Sequence, residues 1–184
     1  MAHHSTCEFV PARVAVLTVS DTRTAQTDKS GAIICDLLAG AGHVVISKDI
    51  VVDDLFQIRA GVSQLLADGL CEFIILTGGT GLRSRDVTPQ AIAPLYTAPI
   101  PGFGELFRML SYQDIGSSTI QSRAEAGLCG DTVVFALPGS TGACRMGMEK
   151  IILEQIDNTH RPCNFREVVS ARTPIKSSEG NPSD

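Results

Sequence analysis

Lysine is scarce in this sequence: Lys29, Lys48, Lys150 and Lys176 are the only four among 184 residues. The remaining eleven of the fifteen cations are arginine, and twenty acids leave a formal net charge of −5 at pH 7. With a pI near 5.3, there is no basic surplus. That lack argues against a broad nucleic-acid footprint or an anionic membrane surface, since both demand a basic face. It leaves room for a small anionic ligand, because the arginine fork suits phosphate. No apolar run approaches the ~20 residues of a membrane-spanning helix, and residues 1–12 hold no apolar core of a signal peptide. The six cysteines, at 7, 35, 71, 129, 144 and 163, include no C-x-x-C, and no histidine stands at finger spacing from them. A structural zinc site is therefore not expected. Unpaired thiols in a reducing cytoplasm are the expectation, with Cys35 and Cys71 as small buried apolar groups. His3 and His4, native or left from a tag, are given no role. Internal repeats and linkers are also missing.

What is present is apolar and patterned. At 43% hydrophobic and 19% charged, the chain can bury a core without disulfide or metal staples, and its length suits one domain. Runs at 12–19 (ARVAVLTV), 43–51, 72–77 (EFIILT) and 132–137 (TVVFAL) read as strands, most of them buried on both faces. Between the first three lie two helical patterns: Ile33, Ile34, Leu37, Leu38 and Ala41 after Ser30, and Ile58, Val62, Leu65 and Leu66 from Asp53 to Gly69. Two β-α-β crossovers require a parallel sheet. Residues 82–130 are more broken, with short helices expected at 88–95, 105–110 and 122–127 and a turn around Pro99, Pro101 and Gly102. Met148, Ile151, Ile152 and Ile156 stripe a closing helix. The stretch Phe103, Phe107, Met109, Leu110 and Tyr112 suits either an interface or core packing. One domain at 10–168 is expected, flanked by a tail at 1–9 and one at 169–184 that is disordered toward its Ser/Gly/Pro-rich end.

Ligands of a parallel sheet bind outside the carboxyl ends of its strands. Four such ends carry TVSDT (18–22), VDD (52–54), TGGTGLRSRD (77–86) and PGST (138–141), polar or Gly-rich after greasy strands. In Gly78-Gly79-Thr80-Gly81 the glycines let the backbone approach a ligand and aim successive N–H groups at one anion; the same loop could also be a plain strand-to-helix turn. It is not a P-loop, because no Lys follows. The dinucleotide fingerprint fails at Ser84, and Gly139-Ser140-Thr141-Gly142 is not the G-x-S-x-G of a serine hydrolase. Asp86, just beyond the loop, would repel a phosphate unless a divalent cation sat between them, a task that suits Mg²⁺. Capping is an ordinary alternative for Asp86, and for Asp21, Asp53 and Asp54. Arg83, Arg85, Arg108, Arg123 and Arg145 are the cations nearest these loops.

These residues also form a recognisable set. SDT at 20–22, Asp28 with Ser30-Gly31, VDD at 52–54, GGTG with RDVTP at 85–89, IPGFGELFR at 100–108, SRA at 122–124 and LPGS at 137–140 resemble the MoaB/MogA family of molybdenum cofactor biosynthesis, whose domain also occurs in gephyrin. The resemblance spans about Val10 to Val168, and SSTIQSRA at 117–124 with RPCNF at 161–165 looks like the MoaB branch. It implies a three-layer α/β/α domain with a mostly parallel sheet, the molybdopterin-binding (MogA-like) fold, assembled as a homo-oligomer, trimer or hexamer. It implies molybdopterin as substrate, ATP as co-substrate and Mg²⁺ as cofactor in the adenylylation of molybdopterin, with other proteins of the pathway as partners. Asp53 and Asp86 match the key acids of the family and would hold Mg²⁺; Gly78, Gly79, Thr80 and Gly81 would bind phosphate. Ser20, Asp21, Pro138, Gly139 and Ser140 would hold the pterin side, with Arg123 a phosphate partner. A non-catalytic member that carries molybdopterin without adenylylating it is the alternative.

Overall fold

Strand β1, Arg13–Val19, is buried along nearly its whole length, which explains its unbroken apolar run. It pairs in parallel with β2, Val44–Val51, and with β3, Phe73–Thr77. The computed structural model that shows this describes residues 7–169 of the chain. His3, His4 and the expected C-terminal tail beyond Val169 lie outside the described residues. Six strands form one sheet in the order β2-β1-β3-β6-β5-β4, where β4 is Ala98–Pro99, β5 is Glu125–Cys129 and β6 is Thr132–Leu137. β3 and β6 are parallel, whereas β5 runs antiparallel to both its neighbours.

Alternation along the central strands sends side chains to two cores. Val14, Val16, Phe73, Ile75, Val133 and Phe135 face one cluster, and Ala15, Leu17, Ile74, Leu76, Val134 and Ala136 face the other. Helix α1, Lys29–Gly40, covers the first face through Ile34 and Leu38. Helix α2, Leu55–Asp68, covers the second through Ile58 and Val62, joined by the short α3, Thr88–Ile92. Helix α4, Pro101–Ile115, adds Phe103 and Phe107 to the first face. The last helical run passes from α5, Thr141–Gly147, through a π-helical stretch, Met148–Ile152, into α6, Leu153–Ile156. A final turn, α7, is Arg166–Val169. Each fully buried Leu, Ile or Phe in these layers contributes about 1.5–3 kcal/mol relative to exposure. The α/β class and the mostly parallel, three-layer sheet agree with the sequence reading.

Three local readings are corrected. Residues 122–127 do not begin a helix: Glu125–Cys129 is β5, joined to β6 by a two-residue Gly130-Asp131 turn in which Gly130 takes φ +59°, a conformation glycine supplies at no steric cost. Helix α4 starts at Pro101, not Glu105, because proline at the first helical position loses no hydrogen bond, so Pro101 and Gly102 are helix and not turn. The acid that starts α2 is Asp54, whose carboxylate accepts the N–H groups of Phe56 and Gln57, both at 3.0 Å; Asp53 stays outside the helix. The apolar stretch at 103–112 divides, with Phe103 and Phe107 buried in the core and Met109 and Tyr112 exposed.

At the amino ends of the strands the two described ends of the chain meet. The Val10 N–H donates to Asn158 Oδ1 at 2.8 Å, and Asn158 Nδ2 donates to the Glu8 carbonyl at 2.8 Å. Glu72 there pairs with both Arg13 and Arg166.

Candidate functional site

The chain leaves β1 toward β2 on one side and returns to place β3 on the other, so the switch in direction lies between β1 and β3. Crevices form outside the carboxyl ends of strands at such points. Here the crevice is a cleft of about 690 Å³. Thr18 and Val19 at the end of β1 with Ser20 beyond it, Thr77 at the end of β3 with Gly78 to Gly81 beyond it, and Pro138 to Thr141 after β6 line it. Asp28, Lys29 and Ser30 enter from the start of α1, and Phe107, Ser111 and Ile115 from one face of α4.

Steric demands explain the glycines. Gly78 has φ +107°, and a Cβ there would stand 2.3 Å from the Val19 carbonyl oxygen; Gly79 has φ +64°, with Thr88 Oγ1 at 2.3 Å from any Cβ. Thr88 is fully buried and pins the loop, its hydroxyl donating to Gly78 O at 2.9 Å and its N–H to Gly79 O at 3.0 Å. The Gly78 N–H is already donated to Leu137 O at 3.0 Å, so an anion nest in this loop draws on Gly79, Thr80 and Gly81. Gly139 packs directly on Gly78, where a Cβ would lie 3.3 Å from the Gly78 Cα.

Two carboxylates stand against this loop, one at Gly81 and one at Gly79, and only the first lines the cleft. Asp86 lines the cleft; its Oδ2 accepts the Arg83 N–H at 2.8 Å and lies 2.6 Å from where a Cβ on Gly81 would be. Asp53 stands against Gly79, its Oδ1 at 3.0 Å from the corresponding position. That oxygen is buried and has no hydrogen-bond partner. Desolvation pushes the Asp53 carboxyl up from its ordinary value, with the negative charges of Asp86 and Asp21 adding to the rise. The Val87 N–H and the Arg85 charge oppose it. A carboxylate with one oxygen left unmatched among other acids is suited to receive a hard cation, which takes oxygen ligands and relieves the repulsion. Among the described residues, no group of three or more His, Cys, Asp and Glu is arranged to hold a metal, so protein carboxylates would supply two ligands at most.

The other expected site residues divide. Ser20, Pro138, Gly139 and Ser140 line the cleft. Ser20 Oγ accepts the Thr22 and Arg23 N–H groups, and Ser140 Oγ accepts the Ala143 N–H to cap the last helical run. Asp21 instead belongs to the Asp53 corner: Oδ1 accepts the Asp53 N–H at 3.1 Å and Oδ2 pairs with Arg85 at 2.6 Å. Arg123 does not reach the cleft; its guanidinium is spent on the carbonyls of Gly81 and Asp86. Arg108 is held by the carbonyls of Ser122 and Ala124, and Arg145 pairs with Glu149.

Among the described residues, the cations that do line the cleft are Arg23 and Lys29. The chain segment leading to α1 carries both, and its path depends on Asp28, which was quoted in the sequence motif without a role. Asp28 is 3% exposed and caps α1 through the Gly31 N–H at 2.9 Å. An acid two residues before a Ser-Gly pair, at the residue just ahead of the helical pattern, is the capping signal that could have located this corner. Cys144, beneath the cleft and 3.1 Å from Thr77 Oγ1, is buried, and burial pushes its thiol pKa up. It is a packed thiol, not a nucleophile.

The chain matches the family described as a probable molybdopterin binding domain over residues 15–158. It is 49% identical over 158 residues to molybdenum cofactor biosynthesis protein B of Escherichia coli K12, covering 86% of this chain and 93% of that protein. The protein of the same name from Bacillus subtilis is 46% identical over 150 residues, covering 81% and 88%. A crystal structure of a molybdenum cofactor biosynthesis protein B superposes with a TM-score of 0.78 at 47% identity, covering 80% of this chain and 92% of that one. The tungsten cofactor synthesizing protein MoaB of Pyrococcus furiosus gives 0.69 at 34% identity, covering 77% and 90%.

Proposed function

Because this chain belongs to the molybdopterin-binding domain family, within its MoaB/MogA group, we propose that it acts in molybdenum cofactor biosynthesis as a molybdopterin adenylyltransferase. The observation that carries the reading is the pair Asp53 and Asp86 against the glycine loop, one with a buried oxygen that no hydrogen bond satisfies among the described residues. An oxygen of the molybdopterin phosphate attacks the α-phosphorus of ATP. One P–O bond forms, the bond from the α-phosphorus to the bridging oxygen breaks, and pyrophosphate leaves. Such transfer needs positioning and charge neutralisation more than covalent help from the protein.

Asp53 and Asp86 would hold Mg²⁺ beside the glycine loop. When bound, the ion neutralises charge that develops on the phosphate oxygens. The N–H groups of Gly79, Thr80 and Gly81 receive phosphate, assisted by Arg23 and Lys29 and by the positive end of α1. Ser20 and the Pro138-Gly139-Ser140 turn hold the pterin side, with Phe107 and Ile115 giving it apolar cover. Assembly as a trimer or hexamer through the exposed face of α4, and action in the cytoplasm, complete the reading.

Purified protein given molybdopterin, ATP and Mg²⁺ is expected to form adenylylated pterin and pyrophosphate. Asp86→Asn should lower that rate by ~100-fold or more, the scale typical of losing one preorganised electrostatic group, with fold and pterin binding retained. An undiminished rate would sink the assignment of Asp86. Tight pterin binding by the unmodified protein without pyrophosphate release would make it a carrier and not an enzyme.

A further inference from the structure

Asp86 sits at the end of a loop whose outer part, 82–85, is exposed, and an exposed turn is a poor mount for a metal ligand. Thr88 fixes the near end of the loop, at Gly78 and Gly79. The far end is fixed from a distant part of the chain. The Arg123 backbone N–H donates to Thr80 O at 3.2 Å, its Nε donates to Gly81 O at 2.9 Å, and its Nη2 donates to the carbonyl of Asp86 itself. A single residue thus ties three carbonyls on both sides of the exposed stretch and closes it into a lasso. The two guanidinium bonds need donors fixed in one plane at a set separation, which arginine provides and a lysine ammonium does not. The side chain lines a second pocket behind the loop, with Arg108, Glu125 and Tyr96, while its chain neighbours Gln121 and Ser122 line the cleft.

We propose that Arg123 is a positioning residue for Asp86: it holds the loop so that the carboxylate faces the cleft, and it does not itself bind phosphate. The idea rests on the reading of Asp86 as a metal-holding group. Two variants of the full chain test it, Arg123→Ala and Arg123→Lys. Both should raise the Mg²⁺ concentration needed for half-maximal turnover about 10- to 100-fold, the usual scale for losing a group that orients a metal ligand. Molybdopterin affinity should stay within about twofold. Trypsin gives a readout independent of turnover, because Arg83 and Arg85 lie in the lasso: both variants should be cut there at least ~10-fold faster, with cleavage elsewhere unchanged. That acceleration is expected whether or not the protein adenylylates molybdopterin, so failure of the catalytic reading and failure of the brace are told apart. Arg123→Lys with unmodified loop cleavage and Mg²⁺ requirement would overturn the proposal. So would a loss of molybdopterin affinity with a loop still slow to cleave, which would make Arg123 a phosphate ligand.

Discussion

Asp28 and Asp53 stand on either side of the carboxyl end of β1, and their surroundings differ. Asp28 is almost wholly buried, yet both its oxygens are engaged: Oδ1 accepts the Gly31 N–H, while Oδ2 accepts the Thr18 hydroxyl at 2.9 Å and pairs with Lys48 at 3.5 Å. A Cβ on Gly31 would lie 2.2 Å from that second oxygen, so a glycine keeps the corner tight. Asp53 is less buried but retains an oxygen with no partner, in the company of Asp21 and Asp86. A carboxylate matched by donors and a cation is part of the scaffold. One with an oxygen left unmatched beside like charges costs stability, and such groups cluster at functional sites.

The comparison can be broken from either end. The largest effect is expected at Asp28. Asp28→Ala removes a helix cap and strands the Thr18 hydroxyl, the Gly31 N–H and a half-buried Lys48, and should cost about 3 kcal/mol of unfolding free energy in a urea titration. A loss below about 1 kcal/mol would mean that Asp28 is no more structural than Asp53. Next comes the pH dependence of the Mg²⁺ requirement. Protons compete with the ion for Asp53, so below its raised pKa the apparent Mg²⁺ affinity should fall by up to about tenfold per pH unit. The fall should begin at a higher pH than an ordinary carboxylate would give, and Asp53→Asn should abolish that onset.

The smallest effect is on the apo protein. An acid whose pKa is higher folded than unfolded binds its proton more tightly in the folded state, so ionising it costs stability. That cost is present above the folded pKa and disappears as pH falls to the unfolded value. Asp53→Asn should therefore raise the urea midpoint slightly at pH 7 and lose its advantage in acid. Much of the side chain reaches solvent, so the gain is small. A lower midpoint at pH 7 would show that Asp53 is scaffold after all.

How far the sequence revealed this depended on whether the signal was local. The central strands were legible because burial on both faces leaves an unbroken apolar run, and the glycine loop because positive φ leaves few other residues to choose from. β5 was not, since Gly127 sits in it: a Cβ there would meet the Tyr96 ring at 2.2 Å, a packing demand from 31 positions away that reads locally as a helix start or turn. The Gly130-Asp131 hairpin was the available signal. The acids of the site were legible from position after a strand, while its cations were not. Arg85, Arg108, Arg123 and Arg145 are nearer the loops in sequence but bind elsewhere, whereas Arg23 and Lys29 reach the cleft through the fold of the segment that Asp28 anchors.

The meeting of the two described chain ends beside Asn158 has a practical consequence. β1 spans seven residues, so its amino end, where Val10 and Glu8 are tied down, stands about 20 Å from the carboxyl end that opens into the cleft. The described chain therefore begins and ends on the side away from the cleft. A fluorophore carried on the exposed Cys7 would sit there and leave the cleft open.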